Sequence, residues 1–239
     1  MLRGCLTVIV LVAAFVVGVV WFAGPVVASA LAPQGLALVG FTAAAETVHV
    51  QTAAPLQLLL GRADSVRIQA TDASFGSIRA SAVDVTLRDV DAFARSFDID
   101  GTLTGASMVQ RGGIPVVASQ VALSGEARSV LAAIHLDGGL IRQTATSQLE
   151  AASGQAAALG DIVLEAPNVV TVSVAGRTIR GTLTIDETGA LVLSVPEVGV
   201  TGLTLLAPVQ SVPLRLTGIS IVGSEVVLLG TVDLTELFP

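Results

Sequence analysis

The residues with the most obvious potential for chemistry are four closely spaced carboxylates. Asp89, Asp91, Asp98 and Asp100 fall within twelve residues, a density that suggests calcium binding or acid–base catalysis on a glycoside. The segment Asp98–Gly101 lacks the third ligand and the terminal Glu of an EF-hand loop, however, and alternate acids are typical of the solvated face of a strand. The pattern therefore predicts an exposed strand face and no metal site.

The remaining catalytic signals are equally sparse. His49 and His135 are the only histidines, neither belongs to an H-x-x-x-H or H-x-H pattern, and Cys5 is the only cysteine, so no zinc ligand set can be assembled. No Walker A loop, G-x-S-x-G elbow or G-x-G-x-x-G loop follows a predicted strand. The sequence thus predicts no catalytic residues and no cofactor, and the interpretation is that the protein is not an enzyme.

The first 31 residues are mostly apolar and are predicted to form a membrane segment. The run from Cys5 to Ala23 contains no charge and, as a helix, is long enough to cross the hydrocarbon core of a bilayer. Arg3 precedes it and the next basic residue is Arg62, which favours a cytoplasmic N-terminus and an extracytoplasmic remainder. Because Ala28-Ser29-Ala30 fits a signal-peptidase site, a secreted, cleaved form is the alternative to an uncleaved signal anchor.

Charge and aromatic content argue against nucleic acid as a partner. The chain has 12 basic residues, all of them Arg, against 19 acidic ones, which gives a net charge of −7. A protein that binds phosphate backbones through bulk charge has the opposite balance, and the exported part has few aromatic side chains for base stacking.

Residues 32–46 read as a connector, and residues 47–239 as one β-rich domain. Short runs of alternating apolar and polar residues, as in Val83–Arg88, predict strands that bury one face. Apolar residues occupy even positions up to Ala82 and odd positions from Val83, which predicts a β-bulge near Ala82. Turn residues at Asp186–Gly189 and Gly223-Ser224 predict hairpins, and therefore an antiparallel sheet. The remaining predicted strands are Thr47–Gln51, Ser65–Ala70, Asp98–Gln110, Ile114–Leu123, Asn168–Ala175, Thr178–Asp186, Ala190–Val195, Thr201–Leu206, Ser211–Val222 and Glu225–Leu234.

Two segments have helical spacing. Pro55–Gly61 begins with Pro and ends with Gly, the preferred arrangement for a short helix. Ser124 is a possible cap for a second helix over Gly125–Ile134. Several late strands, such as Val226–Leu229, are apolar on both faces. Their second face must meet a second sheet, a partner, a bilayer or a bound lipid.

The segment Ala54–Ile68 resembles the opening of the LmeA-like phospholipid-binding domain of bacterial envelope proteins. It has a Pro-led short helix that ends in Gly-Arg, followed by a strand of the Asp-Ser-Val type. Ser77–Val90 is similar to the next strand of that family, and Val212–Thr231 to its closing hairpin. The resemblance implies phospholipid binding by an elongated, curved antiparallel sheet packed on two short helices, as in tubular lipid-binding domains.

The fold class expected is therefore α+β, mostly β, with an N-terminal transmembrane helix. The expected function is a membrane-tethered, extracytoplasmic phospholipid-binding protein of the cell envelope that shelters acyl chains in an aliphatic groove. Two alternatives stay open: a structural or scaffolding β-module without a ligand, and a hydrolase or transferase acting on envelope lipids. Arg62 and Arg67 are the candidate head-group ligands. The candidate groove residues are Leu59, Val66, Ile68, Val83, Val85, Leu87, Leu214 and Leu216.

Overall fold

The computed structural model describes residues 41–53, 57, 60–75, 78–91, 93–109, 115–153, 159–206 and 214–237. The predicted membrane segment lies outside these ranges, as do four of the seven residues of the predicted helix Pro55–Gly61. In the described part of the chain no helix combines the length and the apolar character needed to cross a membrane. The first strand of the described part, Phe41–Thr42, lies inside the stretch predicted as a connector.

Within the described ranges, nine strands form one antiparallel sheet, here called the large sheet. The strands are β1 (Phe41–Thr42), β2 (Ala45–Gln51), β3 (Arg62–Phe75), β4 (Ile78–Asp91), β5 (Ser96–Val109), β6 (Pro115–Glu126), β7 (Val130–Asp137), β13 (Leu214–Val222) and β14 (Glu225–Val232). Their order in the sheet is β1-β3-β4-β5-β6-β7-β14-β13, and β2 pairs with β3 beside β1. The predicted hairpin at Gly223-Ser224 is confirmed, since it joins β13 to β14.

A second antiparallel sheet, the small sheet, has five strands within the same ranges, in the order β12-β11-β10-β9-β8. The predicted hairpin at Asp186–Gly189 is confirmed: Asp186 and Ala190 are joined by a backbone hydrogen bond of 2.9 Å. A 3₁₀ turn at Pro196–Val198 precedes the last of these strands, and another lies at Leu234–Leu237. The strands are β8 (Leu159–Glu165), β9 (Val169–Val174), β10 (Arg177–Ile185), β11 (Leu191–Val195) and β12 (Val200–Leu206).

Helix α1 (Gly138–Ser153) connects the two sheets in sequence. The Asp137 carboxylate accepts a hydrogen bond of 2.8 Å from the amide of Gly139, as an N-cap does. Ile141, Ala145 and Leu149 are buried and recur every four residues, so one face of the helix packs inward. The helix lies against β8 and β12, the two edge strands of the small sheet, and against β7 and β14 of the large sheet. It therefore closes the small sheet from edge to edge.

The buried side chains of both sheets and of α1 form one continuous cluster. Among the described residues every buried side chain of the core is apolar, and no polar or charged residue is buried. Nearly all of the core is Ala, Val, Leu and Ile, with Phe97 as a single aromatic member in the described ranges. The interior is therefore a purely hydrocarbon environment.

The predicted helix at Gly125–Ile134 is wrong. The chain continues through β6, turns at Ala127–Ser129 and returns as β7, which pairs with β6 and β14. Val130, Ala132 and Ile134 are buried and Leu131 is exposed, a period of two instead of 3.6. The spacing of the apolar residues is compatible with both a helix and a strand. The segment forms a strand because β7 pairs with a neighbouring strand on each side.

Helix α1 and strand β8 were not predicted. The helix begins with two glycines and is rich in Thr, Ser and Gln, residues that weaken the helical signal in a single sequence. Thr144 and Ser147 donate hydrogen bonds to carbonyls one turn earlier, at 2.9 and 3.1 Å, so their hydroxyls are satisfied within the helix. The helix is therefore stabilised by its packing against the two sheets, because the helix propensity of its residues is low.

The large sheet exchanges its inner and outer residues along one line across four strands, here called the crease. On β4, Ala80 is buried at an even position and Val83 at an odd one, so the apolar face does change near Ala82. The β-bulge predicted there is wrong, because the pairing of β4 with β3 and β5 keeps one register across this point, and those strands change face at the same level. The corresponding pairs of buried residues are Ala70 and Ala73 on β3, Leu103 and Ala106 on β5, and Ala118 and Val121 on β6.

Candidate functional site

The predicted groove residues that the structure describes all lie on the buried face of the large sheet. On β3 and β4 they are brought together as neighbours, with Val66 opposite Leu87 and Ile68 opposite Val85. Ile68, Val85 and Leu87 have no exposed surface. Leu214 and Leu216 are also buried but lie on β13, at the far edge of the sheet order. Leu59 lies outside the described residues.

These residues are therefore part of the closed core and do not line an open surface groove. The predicted apolar side chains are on one face, as expected, and in the described part of the chain that face is covered by packed elements. Helix α1 meets the edge strands of the small sheet through packing. Separating a helix from a sheet disrupts side-chain packing, whereas separating two paired strands also breaks a ladder of backbone hydrogen bonds.

The predicted head-group arginines are paired on the outer face. Arg62 Nε lies 2.8 Å from Asp91 Oδ2, and Arg67 donates two hydrogen bonds of 3.1 and 2.8 Å to the carboxylate of Asp84. The hydrogen bond from Arg67 lowers the pKa of Asp84. The pKa of Asp91 is lowered first by the backbone amide of Ala94 and also by Arg62. Both guanidinium groups thus already have a carboxylate partner.

The four clustered carboxylates do not converge. Asp98 and Asp100 are exposed on β5, opposite Arg88 and Thr86 of β4. Asp91 instead accepts hydrogen bonds from the amides of the turn between β4 and β5. In the described part of the chain no three His, Cys, Asp or Glu side chains are arranged to hold a metal ion.

His135 belongs to a polar cluster that no sequence motif indicated. Its Nδ1 lies 3.0 Å from Glu225 Oε2, and the Ser119 hydroxyl donates a hydrogen bond of 2.8 Å to Glu225 Oε1. The carboxylate lies between serine and histidine, whereas in a hydrolytic triad the imidazole lies between the hydroxyl and the acid. The arrangement lowers the pKa of Glu225, chiefly through the hydrogen bond with His135, but does not activate the serine. His49 is exposed on β2.

A polar pocket of about 490 Å³ lies on the outer face at the crease. Ser74, Arg79 and Ser107 form a cross-strand row over β3, β4 and β5. Asp72, in a left-handed backbone conformation with φ of 48°, and Gly105, with φ of 60°, lie beside this row. The complete lining is Asp72, Ala73, Ser74, Arg79, Ala80, Ser81, Gly105 and Ser107.

The shape of this pocket depends on small residues at the crease. A Cβ atom on Gly105 would lie 2.6 Å from Ser81 Oγ, so a side chain here would displace the Ser81 hydroxyl, and the φ of 60° would strain any residue other than Gly. The Ser81 hydroxyl donates a hydrogen bond of 2.8 Å to the carbonyl of Thr104, which fixes the wall. The pocket could not be read from the sequence, because its residues come from three strands and depend on the aligned changes of face.

Comparison of the chain with protein-family profiles, with curated proteins and with solved structures gives no match.

Proposed function

We propose that the protein is an extracytoplasmic phospholipid-binding module, held at a membrane by its N-terminal segment, which shields acyl chains with its aliphatic interior. The observation that carries the proposal is the continuous hydrocarbon core spanning two sheets and α1, without a buried polar residue in the described ranges. An acyl chain needs such a medium because each methylene removed from water contributes about 0.8 kcal/mol. No strong polar contact is required for binding.

The route into this interior is the seam between α1 and strands β8 and β12. The helix contacts both edge strands of the small sheet, and it buries Ile141 and Leu149. When the helix moves outward, the apolar faces of the helix and of the small sheet become available together. The lipid tail then replaces the helix contacts and extends along the core toward the buried face of the large sheet.

A photoactivatable phospholipid tests the proposal. The full chain is reconstituted in nanodiscs with phosphatidylethanolamine that carries a diazirine near the end of one acyl chain, and labelled peptides are mapped by mass spectrometry. Labels are expected on inward-facing residues of the small sheet and α1, and on Ile68 and Val85 of the large sheet. A matched lipid with the diazirine in its head group serves as the control and should leave these positions unlabelled.

The competing candidate is a ligand-free scaffolding module that engages another protein. It is favoured by the closure of the core and by two outward leucines on adjacent strands, Leu131 at 58% and Leu229 at 43% exposure. Acyl-chain labelling confined to residues 1–40 and to outward-facing side chains would reject the lipid proposal and leave the scaffold.

A further inference from the structure

We infer that the polar pocket at the crease binds a zwitterionic phosphodiester, in which a phosphate and an ammonium group are separated by a short linker. Phosphoethanolamine is the simplest group of this kind. The inference deepens the proposed function and relies on it only for the lipid as the source of the ligand. Neither Arg62 nor Arg67, the arginines predicted to meet a head group, lines this pocket.

The anionic part of the ligand is assigned to the row Ser74, Arg79 and Ser107. Arg79 has no hydrogen bond or ion pair with any residue of the described ranges, in contrast to Arg62 and Arg67. Hydroxyl groups on the two neighbouring strands flank it, because Ser74 and Ser107 are its direct cross-strand partners. A guanidinium with hydroxyl donors on both sides is a suitable arrangement for phosphate oxygens.

The cationic part of the ligand is assigned to Asp72. Asp72 lines the same pocket, and it has no hydrogen bond or ion pair within the described part of the chain. A simple anion at Arg79 would be repelled by this carboxylate, whereas a ligand with an ammonium group is attracted by both side chains. The charge pattern thus favours a zwitterion over a phosphate monoester or a phosphatidylglycerol head group.

The pocket lies where β1 joins the large sheet. Thr42, the second residue of β1, makes a hydrogen bond of 2.7 Å to the Ser74 hydroxyl in the pocket wall. The first described strand therefore supports one side of the pocket.

Calorimetric titration of the full chain in dodecyl maltoside micelles tests the inference, with protein-free micelles as the blank. The probes are glycerophosphoethanolamine, dihexanoyl phosphatidylethanolamine and dihexanoyl phosphatidylglycerol. R79Q should weaken binding of both ethanolamine probes about tenfold, since it removes a charge-assisted hydrogen bond. D72N should weaken them about threefold and reduce their preference over phosphatidylglycerol. Asn adopts the left-handed conformation of position 72 readily, so this variant tests charge and not backbone strain.

R88Q is the matched control, because Arg88 is exposed on the same strand outside the pocket. Equal affinities of R79Q and R88Q, or no preference for the ethanolamine probes, would overturn the inference. Tighter binding of the dihexanoyl lipid than of glycerophosphoethanolamine identifies a lipid head group, and equal binding identifies a soluble phosphodiester at the same site. If acyl-chain probes still label the core of R79Q, the proposed lipid binding stands even when the pocket does not bind. If glycerophosphoethanolamine binds but the core is not labelled, the pocket binds its ligand and the proposed lipid binding fails.

Discussion

The large and small sheets bury the same kinds of side chain, but only the long strands of the large sheet exchange faces at one common level. β3, β4 and β5 each have 14 residues, roughly 46 Å of extended chain, and all three exchange inner and outer residues at the crease. In the small sheet, β9 and β10 are 6 and 9 residues long and bury one parity throughout. The polar pocket on the outer surface of the large sheet lies at this common change of face.

The two sheets also differ in what lies at their edges. Helix α1 contacts both edge strands of the small sheet, whereas the large sheet has β1 and β2 at one side and β13 at the other. Even so, their buried residues belong to one cluster. The comparison therefore predicts that the sheets share one core energetically while only the small one has a seam that opens.

The largest expected effect comes from truncating a buried leucine in each sheet. Leu103 of the large sheet and Leu193 of the small sheet are fully buried. L103A and L193A should each lower the free energy of unfolding by about 2–5 kcal/mol, the usual cost of a buried cavity. Urea denaturation followed by circular dichroism should show a single transition in both variants. A second transition in L193A alone would break the comparison, because the small sheet would then unfold separately.

The next prediction concerns two glycines, one in each sheet, at which the backbone of a neighbouring strand lies very close. An added Cβ would lie 2.8 Å from the Asp84 carbonyl oxygen at Gly101 and 2.6 Å from the Ser194 carbonyl oxygen at Gly181. G101A and G181A should each lower the free energy of unfolding by about 1–3 kcal/mol because the backbones must move apart. G218A is the control, since the nearest atom to its Cβ is 3.8 Å away. Thermal denaturation of the three variants checks the order, and a loss in G218A as large as in G101A would contradict it.

The closing role of α1 is tested by enlarging its buried face. A145L places extra volume where the helix packs inward, and the expected loss of stability is about 1–3 kcal/mol. S147L puts the same side chain on an exposed position of the same helix and should change stability little. Hydrogen exchange should show faster exchange in β8 and β12 of A145L than in the wild type. Unchanged exchange in both edge strands would mean that the helix does not seal the small sheet.

The smallest expected effect is the pH dependence contributed by Glu225 on the outer face of the large sheet. Hydrogen bonds from His135 first and from Ser119 lower the pKa of Glu225 in the folded protein. A lowered pKa stabilises the fold above the unfolded-state value, and this contribution is lost as pH falls through the folded-state value. E225Q should therefore be less stable than the wild type near neutral pH, with a difference that shrinks in acid.

Urea midpoints measured from about pH 7 to about pH 3 follow this difference. E126Q, which neutralises an exposed carboxylate on β6, serves as the control. A gap between E225Q and the wild type that stayed constant with pH would show that the Glu225 carboxylate is not stabilised by its neighbours.

Alternation of apolar residues was sufficient to predict most strands and both tested hairpins. Asp186–Gly189 and Gly223-Ser224 are local turns, and their signal lies in adjacent residues. The change of face near Ala82 could also be predicted, because it alters the parity of apolar positions within one strand, but the β-bulge inferred from it was wrong. The segment from Gly125 to Ile134 failed because its apolar spacing fits a strand as well as a helix, and only the pairing of β7 with β6 and β14 distinguishes the two.

The sequence by itself determined a mostly β chain, the inward side of β3 and β4 and the aliphatic nature of the interior, since these depend on residue type and local period. Only the tertiary structure decided that Arg62 and Arg67 pair with carboxylates while Arg79 lines a pocket with Asp72. It also decided that α1 closes the small sheet. Such relations join residues that are distant in the chain, and they follow from strand order and register, which the periodicity of a single strand does not contain.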